Sequence, residues 1–464
     1  MLRFVGIFLL GLGLPWQCAY SESLSIKIDT LIEQQLPHAT VGIVVKDANT
    51  GQLVYSKNPD KLLSPASSMK LFTAAAAFYQ LKPDYHFLTA LLRKNQDYYI
   101  SFSGDPSFTE HDLTALLLEL KQSNVKKIEG NIVLDVSRFK APFYPDGTSI
   151  DDLGWYYSAP DTAAILDKNT VAYDFISAKK PGFPIQIKPK TASGDITIMN
   201  QVKTVTKEQA KEHCNLNIEI KAHNTLRLYG CLAQNSEPRT MRLAIPDPIL
   251  SIEQVIKKIL VKQGVILKGR IILGNVPRDA KPMAQHQSAD LTTLITYMLK
   301  ESDNLYASSV TKALGYALTK EGTNKQGVFA IKTSLLKHTN LDASQIEIAD
   351  GAGTRYNLVT PGQVVVLLTN LYQNQSLQNI FTNALPQAGV SGSLQERMKH
   401  TTLEKKVFAK TGTMHDISSL SGYLLDKPDR PLVFSIMING VNKPISTAKA
   451  LEEQILFAIS EAPV

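Results

Sequence analysis

The chain has 464 residues, more than one hydrophobic core usually supports, so we expect two or three domains. Its hydrophobic content of 44% and charged content of 20% are ordinary for a soluble globular protein. The net charge of +7 suits an anionic surface as well as it suits simple solubility, and no basic run with interleaved aromatic residues indicates nucleic-acid binding.

The N-terminus predicts export. Arg3 precedes the apolar stretch Phe4–Leu14, and the small-residue pattern Ala19–Ser21 follows, which together indicate a cleaved signal peptide over residues 1–21. The stretch is too short to span a bilayer comfortably, and no later segment reaches the roughly 18–20 apolar residues that a span needs. Cys18 lacks the small residue expected immediately before a lipidated cysteine. We therefore expect at most peripheral membrane association.

In chain order, the first elements are a predicted β-hairpin and a buried helix. Val41–Lys46 and Leu53–Ser56 are rich in β-formers around a turn. Pro65 precedes a segment with the alanine run Ala74–Ala77, and proline just ahead of good helix formers is a helix-start signal. This helix is apolar nearly all round, so we expect it in the centre of a domain.

Between residues 88 and 284 the sequence changes to β-rich alternation with turns, which predicts one or two inserted domains. Within it, Cys214 and Cys231 flank a hairpin that turns near Ala222–Asn224. A symmetric turn places the two sulfurs opposite each other, whereas the apolar alternation favours a register shifted by one residue. Both hold only with a bulge. A disulfide is predicted in the oxidising compartment, with two free buried thiols as the alternative.

The C-terminal part predicts a helix, three strands and a final helix. The helix Leu291–Leu299 is followed by the strands Val407–Lys410, Leu420–Leu425 and Leu432–Ile438 and by the amphipathic helix Ile445–Ile459. First and last segments together predict an α+β fold, a mostly antiparallel sheet flanked by helices with inserted β-rich domains. The predicted domains are 22–87 with 285–464, 88–165 with 245–284, and 166–244.

A candidate nucleophile and base occur at the start of the buried helix. Ser67 and Lys70 are three residues apart, and positions i and i+3 share one face of a helix. Backbone N–H groups at the helix start suit an oxyanion. Lys70 can serve as a base because burial and the second cation Lys410 both lower its pKa. Alone the pattern is weak, since Ser-x-x-Lys recurs, for example from Ser123 to Lys126, and an ordinary helix start also produces it.

Two further strings complete an acyl-transfer site. In Ser302-Asp303-Asn304, Ser302 is the candidate proton relay, Asn304 the group that holds a substrate amide, and Asp303 a brace for the loop; the alternative is a polar helix-end turn. In the second string, Lys410, Thr411 and Thr413 are candidates for binding a terminal carboxylate, while Gly412 permits close approach of substrate; the alternative is a solvated strand end.

Other chemistries lack their motifs. The sequence contains no His-Glu-x-x-His and no cysteine cluster, so no metal site and no other cofactor is predicted. No Gly-x-Ser-x-Gly elbow is present either. The three strings therefore carry the functional prediction by themselves.

On these residues the chain resembles the low-molecular-mass, class C penicillin-binding proteins, a family of D-alanyl-D-alanine carboxypeptidases and endopeptidases. Further matching segments are Ser103–Pro106, Asn357–Pro361 and Leu385–Val390. The resemblance implies a penicillin-binding/β-lactamase-like transpeptidase domain, a periplasmic location, and acylation of Ser67 by peptidoglycan stem peptides or by penicillin. It also implies an oxyanion hole formed by the backbone N–H groups of Ser67 and Thr413.

The resemblance further implies a pocket that reads the side chain of the stem peptide. Asp152, Tyr157 and Arg355 match its acidic, aromatic and basic members, and an Asp/Arg pair suits a zwitterionic diaminopimelate end. The segment Asp350–Arg355 departs from the family pattern Asp-Gly-Ser-Gly-Leu-Ser-Arg, because it has alanine for the first serine and is one residue shorter.

Two rival functions remain at this point. A β-lactamase forms the same acyl-enzyme, but fast deacylation needs a water-activating group that the sequence does not show. A non-catalytic peptidoglycan-binding or sensing module does not need an activated serine. The sequence does not decide the balance between carboxypeptidase and endopeptidase activity, the oligomeric state or the protein partners.

Overall fold

The computed structural model describes residues 16–190, 196–234, 237–342 and 345–462. Most of the predicted signal peptide, residues 1–15, lies outside the described residues. Within the ranges described, no helix is long and apolar enough to cross a membrane. The chain divides into two compact units, the first made of residues up to 68 and from 359 onward, the second of residues 69–358. The three predicted domains stay a prediction.

The elements are as follows. The helices are α1 (Trp16–Gln35), α2 (Lys70–Gln80), α3 (Glu110–Gln122), α4 (Lys207–His213), α5 (Pro248–Gln263), α6 (Leu291–Glu301), α7 (Asn304–Thr319), α8 (Asn324–His338), α9 (Pro361–Gln373), α10 (Gln378–Ala384) and α11 (Ile445–Glu461). The strands are β1 (Thr40–Asp47), β2 (Leu53–Lys57), β3 (Leu88–Lys94), β4 (Asp97–Ser101), β5 (Lys127–Ile128), β6 (Ile132–Asp135), β7 (Thr170–Ile176), β8 (Gln186–Pro189), β9 (Thr197–Val205), β10 (Leu216–Lys221), β11 (Thr225–Ala233), β12 (Arg239–Ala244), β13 (Ile266–Leu267), β14 (Ile271–Leu273), β15 (Lys281–Gln287), β16 (Val407–Met414), β17 (Ile417–Leu424) and β18 (Leu432–Asn439).

The first unit is a five-stranded sheet covered by helices. Its strand order is β16-β17-β18-β1-β2, and every pairing is antiparallel. Every residue of β17 is buried, because both α9 and α11 pack against it. The strand sequence is accordingly apolar or small throughout rather than alternating. The predicted strands, the closing helix and the α+β arrangement are confirmed.

The second unit is built around α2. Residues 70–79 of this helix are all buried, and α6, α7 and α8 pack against it, which confirms the prediction from its apolar sequence. The same unit contains a five-stranded sheet in the order β14-β6-β4-β3-β15 and two three-stranded sheets, β12-β7-β8 and β10-β11-β9. The inserted region is less purely β than predicted. Because β4 and β6 are parallel, they need a crossover, and α3 supplies it.

The cysteine hairpin satisfies both of the predicted requirements. Its register pairs Ile218 with Leu228, which is the register that the apolar alternation favours. Cys214 nevertheless forms a disulfide with Cys231, at a Cα–Cα distance of 5.3 Å, because Cys214 lies before β10 at the end of α4. The predicted bulge is absent: the pairing of β10 with β11 is unbroken from Leu216 with Gly230 to Lys221 with Thr225, and Cys214 lies outside it.

Candidate active site

The candidate residues are distributed over both units. The first unit contains Ser67, Lys410, Thr411 and Thr413, and the second contains Lys70, Ser302, Asn304, Asp152, Tyr157 and Arg355. Ser67 and Lys70 are linked through the chain itself, because the 3-10 turn Ala66–Met69 leads directly into α2. Their three-residue spacing therefore lies within one continuous helical segment, as the sequence predicts.

The turn that carries Ser67 is anchored by its neighbours. Ser68 is fully buried, and its hydroxyl lies 2.9 Å from that of Ser419 on β17. The Ser419 hydroxyl donates to the carbonyl oxygen of Pro65 at 2.7 Å. Ser67 is only half-buried, whereas the residues on either side of it are buried. The hydrogen bonds of Ser68 and Pro65 with Ser419 thus hold the turn in place, while the Ser67 side chain stays accessible.

Strand β16 presents the Lys410 string at the edge of the five-stranded sheet. Lys410 is fully buried and its ammonium donates to the Thr411 carbonyl oxygen at 2.6 Å. The Thr411 hydroxyl donates to Ser393 at 2.7 Å, and Thr413 is exposed. An edge strand with a cation and exposed hydroxyl suits the binding of an extended peptide that ends in a carboxylate.

Gly412 has a physical reason other than the predicted close approach of substrate. A Cβ at this position would lie 2.3 Å from the Ser419 hydroxyl oxygen and 2.5 Å from the carbonyl oxygen of Pro65. No side chain fits there without displacement of the backbone two residues before Ser67. Glycine therefore lets β16 pack directly against the turn that carries Ser67.

We predict that Gly412→Ala lowers the rate of penicillin acylation by about 100-fold, because a displacement of about 1 Å at a reacting group has that effect. Overpacking should also lower the free energy of unfolding by about 1–3 kcal/mol. Stopped-flow acylation and urea unfolding measure the two effects. Gly362→Ala is the control, since its Cβ would approach no atom closer than 3.1 Å. Unchanged acylation in Gly412→Ala would contradict this account.

Lys70, like Lys410, is a fully buried ionisable group of the candidate set. Its side chain is fully buried, and its ammonium donates to Asn304 Oδ1 and to the carbonyl oxygen of Ala352, both at 2.7 Å. Burial lowers the pKa of Lys70 to about 8, against the carboxylates of Asp350 and Asp303, which act to raise it. About one Lys70 in ten is then neutral at pH 7, enough to accept a proton.

Ser302 and Asn304 lie at a sharp corner between two helices. Ser302 ends α6 in the left-handed conformation with φ +57°, and α7 begins at Asn304. Between them, Asp303 caps α7 by accepting the backbone N–H of Tyr306 at 3.2 Å. Asp303 thus braces the corner, as predicted, while Ser302 and Asn304 are displayed by it.

Asp152 and Tyr157 come together and connect to Asn304. The Tyr157 hydroxyl donates to Asp152 Oδ1 at 3.0 Å, and Asn304 Nδ2 donates to the Tyr157 carbonyl oxygen at 2.9 Å. This second bond turns the Asn304 amide oxygen toward Lys70. Burial and Asp152 raise the pKa of Tyr157, so its hydroxyl remains a donor. Arg355 is exposed, and among the described residues no hydrogen bond or ion pair joins it to Asp152 or Tyr157.

Sequence reasoning named the segment Asp350–Arg355 only for Arg355 and did not predict that this loop holds Lys70. Asp350 is fully buried and accepts the backbone N–H groups of residues 352, 353 and 354 at 2.5–2.9 Å. This arrangement directs the Ala352 carbonyl oxygen at Lys70. Lys70 donates to the backbone carbonyl oxygen of residue 352, so this hydrogen bond does not depend on whether that residue is alanine or the family's serine. The only sequence signal for it is the Asp-Gly-x-Gly string itself.

Comparisons with known proteins agree with this geometry. The model of the D-Ala-D-Ala carboxypeptidase 3 (S13) family matches residues 24–458. A D-alanyl-D-alanine carboxypeptidase DacB of Haemophilus influenzae is 30% identical over 422 residues, covering 88% of this chain and 87% of that protein. A D-alanyl-D-alanine carboxypeptidase of Actinomadura sp. is 31% identical over 457 residues, covering 94% of this chain and 84% of that protein.

Comparison with solved structures leads to the same family. The crystal structure of penicillin binding protein 4 (dacB) from Haemophilus influenzae superposes with a TM-score of 0.84 at 27% identity, covering 93% of this chain and 99% of that one. The match extends along almost the whole of both chains, so it includes the inserted region and not only the sheet of the first unit. The chain therefore belongs to the D-Ala-D-Ala carboxypeptidase 3 (S13) family, serine-type carboxypeptidases within the penicillin-binding proteins, as its three motifs predict.

Proposed function

We propose that the protein is a serine D,D-peptidase that hydrolyses peptidoglycan stem peptides through an acyl-enzyme on Ser67. The Ser67 hydroxyl attacks the carbonyl carbon of the penultimate D-Ala, its proton passes to neutral Lys70, and the terminal D-Ala leaves as a free amine after receiving a proton by way of Ser302. A water molecule then attacks the ester carbonyl carbon in place of the amine, and the Ser67 hydroxyl is regenerated. Penicillin acylates Ser67 in the same way when its lactam opens.

The observation that carries this proposal is the environment of Lys70. Burial lowers the pKa of Lys70, while the acceptors on Asn304 and Ala352 hold the amine in one orientation three residues after Ser67. The 3-10 turn Ala66–Met69 leads directly into α2, so this amine lies on the same helical segment as the proposed nucleophile. The activated base also favours a peptidase over a binding or sensing module.

We assign the remaining candidates to substrate binding. The backbone N–H groups of Ser67 and Thr413 form the oxyanion hole, and Lys410, Thr411 and Thr413 bind the terminal carboxylate of the substrate. Asn304 holds the substrate amide. These roles are supported by the family membership and by the position of the Lys410 string on an edge strand.

We assign the side chain of the stem peptide to Asp152, Tyr157 and Arg355. The Asp152 carboxylate, held by the Tyr157 hydroxyl, suits an ammonium, and the exposed guanidinium of Arg355 suits a carboxylate. Together they fit a zwitterionic diaminopimelate end. Peptidoglycan and β-lactams are thus the proposed binding partners, and a β-lactam complex of the Haemophilus influenzae protein supports the second. The proposed location is the periplasm.

The direct experiment is release of D-Ala from a pentapeptide that ends in D-Ala-D-Ala. The matched control is the same peptide ending in D-Ala-L-Ala, which the proposed site should leave intact. Cross-linked muropeptide dimers then separate endopeptidase from carboxypeptidase activity. A β-lactamase would instead release bound penicillin within seconds. If neither the D-Ala-D-Ala pentapeptide nor the muropeptide dimers reacted, the proposal would be contradicted.

We expect acylation to rise with pH up to about 8. Only neutral Lys70 accepts the proton, and its lowered pKa is about 8, so the neutral fraction falls about tenfold for each unit of pH below about 7. Above pH 8 the fraction approaches its maximum and the rate levels off. Penicillin acylation measured from pH 5.5 to 9.5 tests this, and a rate that is flat over that range would contradict Lys70 as the base.

A further inference from the structure

Lys168 lies in an unusual stretch of backbone. Asp167, Lys168 and Asn169 are consecutive and none is glycine, yet all three have positive φ, at +47°, +60° and +53°. Each such residue is strained, and strain of this kind persists only where the surrounding structure enforces it. Asn169 does so here: its buried side chain accepts the Leu166 N–H at 3.1 Å and donates to the Pro160 carbonyl oxygen at 2.9 Å.

The strained turn aims the Lys168 ammonium at the corner between α6 and α7. The ammonium lies 3.3 Å from Asp303 Oδ2 and also bonds the hydroxyl of Tyr297 on α6. It lies 5.6 Å from the ring centre of Tyr306 on α7. The side chains of Lys168 and Asp303 are 23% and 16% exposed, so their charges are screened less than those of a surface pair. One cation thus contacts both helices that form the corner.

Asp303 divides its two oxygens between two tasks. Oδ1 caps α7, while Oδ2 faces Lys168. The same carboxylate acts on Lys70 and raises its pKa against the effect of burial. The other carboxylate that acts on Lys70 is Asp350, which is already occupied by backbone N–H groups of its own loop. The charge of Asp303 is therefore the one that a neighbouring cation can offset.

We propose that Lys168 is a positioning residue: its ammonium fixes the Asp303 corner that displays Ser302 and Asn304, and it offsets the Asp303 charge so that Lys70 remains a usable base. This inference rests on the proposed function of Lys70. Other charged groups near Lys168 are Asp167 and Arg242, which line a cavity of about 210 Å³ together with it. Among the described residues Arg242 makes no ion pair with Asp303, so removal of Lys168 removes the cation that contacts this carboxylate.

Lys168→Met tests the proposal through a shift in pH dependence. We expect the midpoint of the pH profile of penicillin acylation to move up by about 0.5–1 unit, and acylation at pH 7 to fall by about 3- to 10-fold, because the uncompensated Asp303 charge favours protonated Lys70. Lys168→Arg should retain the wild-type midpoint. Lys94→Met, which removes the same charge from an exposed pair with Asp279, is the control. A lower rate with an unmoved midpoint would overturn the proposal and leave Lys168 a purely structural residue.

Chemical rescue separates charge from packing. Lys168→Ala removes a fragment equivalent to n-propylammonium beside the 210 Å³ cavity, which has room for the free cation. We expect n-propylammonium to restore acylation by about 3-fold or more over Lys168→Ala alone, and n-propanol at equal concentration to have no effect. Equal rescue by the alcohol would show that volume and not charge matters, against the proposal.

An NMR titration measures the same shift in the titration midpoint of Lys70 without any substrate. In protein labelled with ¹⁵N-lysine, the Lys70 amine signal is assigned by its loss in Lys70→Met. Its midpoint should be about 0.5–1 unit higher in Lys168→Met than in the wild type. Because no substrate is involved, this result stands even if the proposed reaction proves wrong, and an unchanged Lys70 midpoint overturns the inference by itself.

Discussion

Replacement of Ser67 by alanine is expected to abolish covalent labelling by a fluorescent penicillin and to reduce D-Ala release by about 10³-fold or more. Ser67 supplies the only oxygen that we assign to the acyl-enzyme, and Lys70 has nothing to deprotonate without it. Because Ser67 is half-buried on a turn held by Ser68 and Ser419, its truncation should leave the fold intact. Denaturing gels after labelling measure the first effect, and chromatography of released D-Ala measures the second.

The adjacent serine provides the matched control. Ser68 is fully buried and its hydroxyl pairs with that of Ser419. Ser68→Ala should lower the free energy of unfolding by about 0.5–1.5 kcal/mol through the lost hydrogen bond, yet retain labelling. Persistent labelling of Ser67→Ala, or loss of labelling only in Ser68→Ala, would move the nucleophile away from Ser67.

The largest expected effect on stability comes from Lys312 on α7. Its fully buried ammonium donates to Asp161 Oδ1 at 2.6 Å and to the carbonyl oxygen of Pro142 at 3.0 Å. Lys312→Met leaves a buried carboxylate without its cation, so the free energy of unfolding should fall by about 3–5 kcal/mol. The chain between Pro142 and Asp161 carries Asp152 and Tyr157, so their geometry should loosen too. Urea unfolding measures the stability change.

A double-mutant cycle shows whether the pair itself is responsible. In Lys312→Met with Asp161→Leu, no buried charge is left unpaired, so the double variant should be more stable than the sum of the single effects by at least about 1 kcal/mol. Lys94→Met, which breaks the exposed pair with Asp279, should change the free energy of unfolding by no more than about 1 kcal/mol. Strict additivity in the buried cycle would refute the coupling.

The sequence predicted what depends on local spacing and periodicity. Ser67 and Lys70 share a helical segment because three residues nearly complete a turn. The apolar run of β18 marks a buried strand, and Asp303 is predicted from its string to brace the loop. The register of the cysteine hairpin also follows from its apolar alternation, although only the structure shows that Cys214 lies before β10, so that the disulfide forms without a bulge.

The environment that makes Lys70 a base was decided by tertiary structure. Its two acceptors, Asn304 and Ala352, lie 234 and 282 residues further along the chain. One of them is a backbone carbonyl, which cannot be predicted from the residue type at that position. Lys168 reaches Asp303 from 135 residues away and through a left-handed turn that its sequence does not require. The sequence by itself thus determined the family and predicted the reacting groups, because local patterns encode them. Only the packing of distant segments decided the charges and acceptors around those groups, and these set their pKa and orientation.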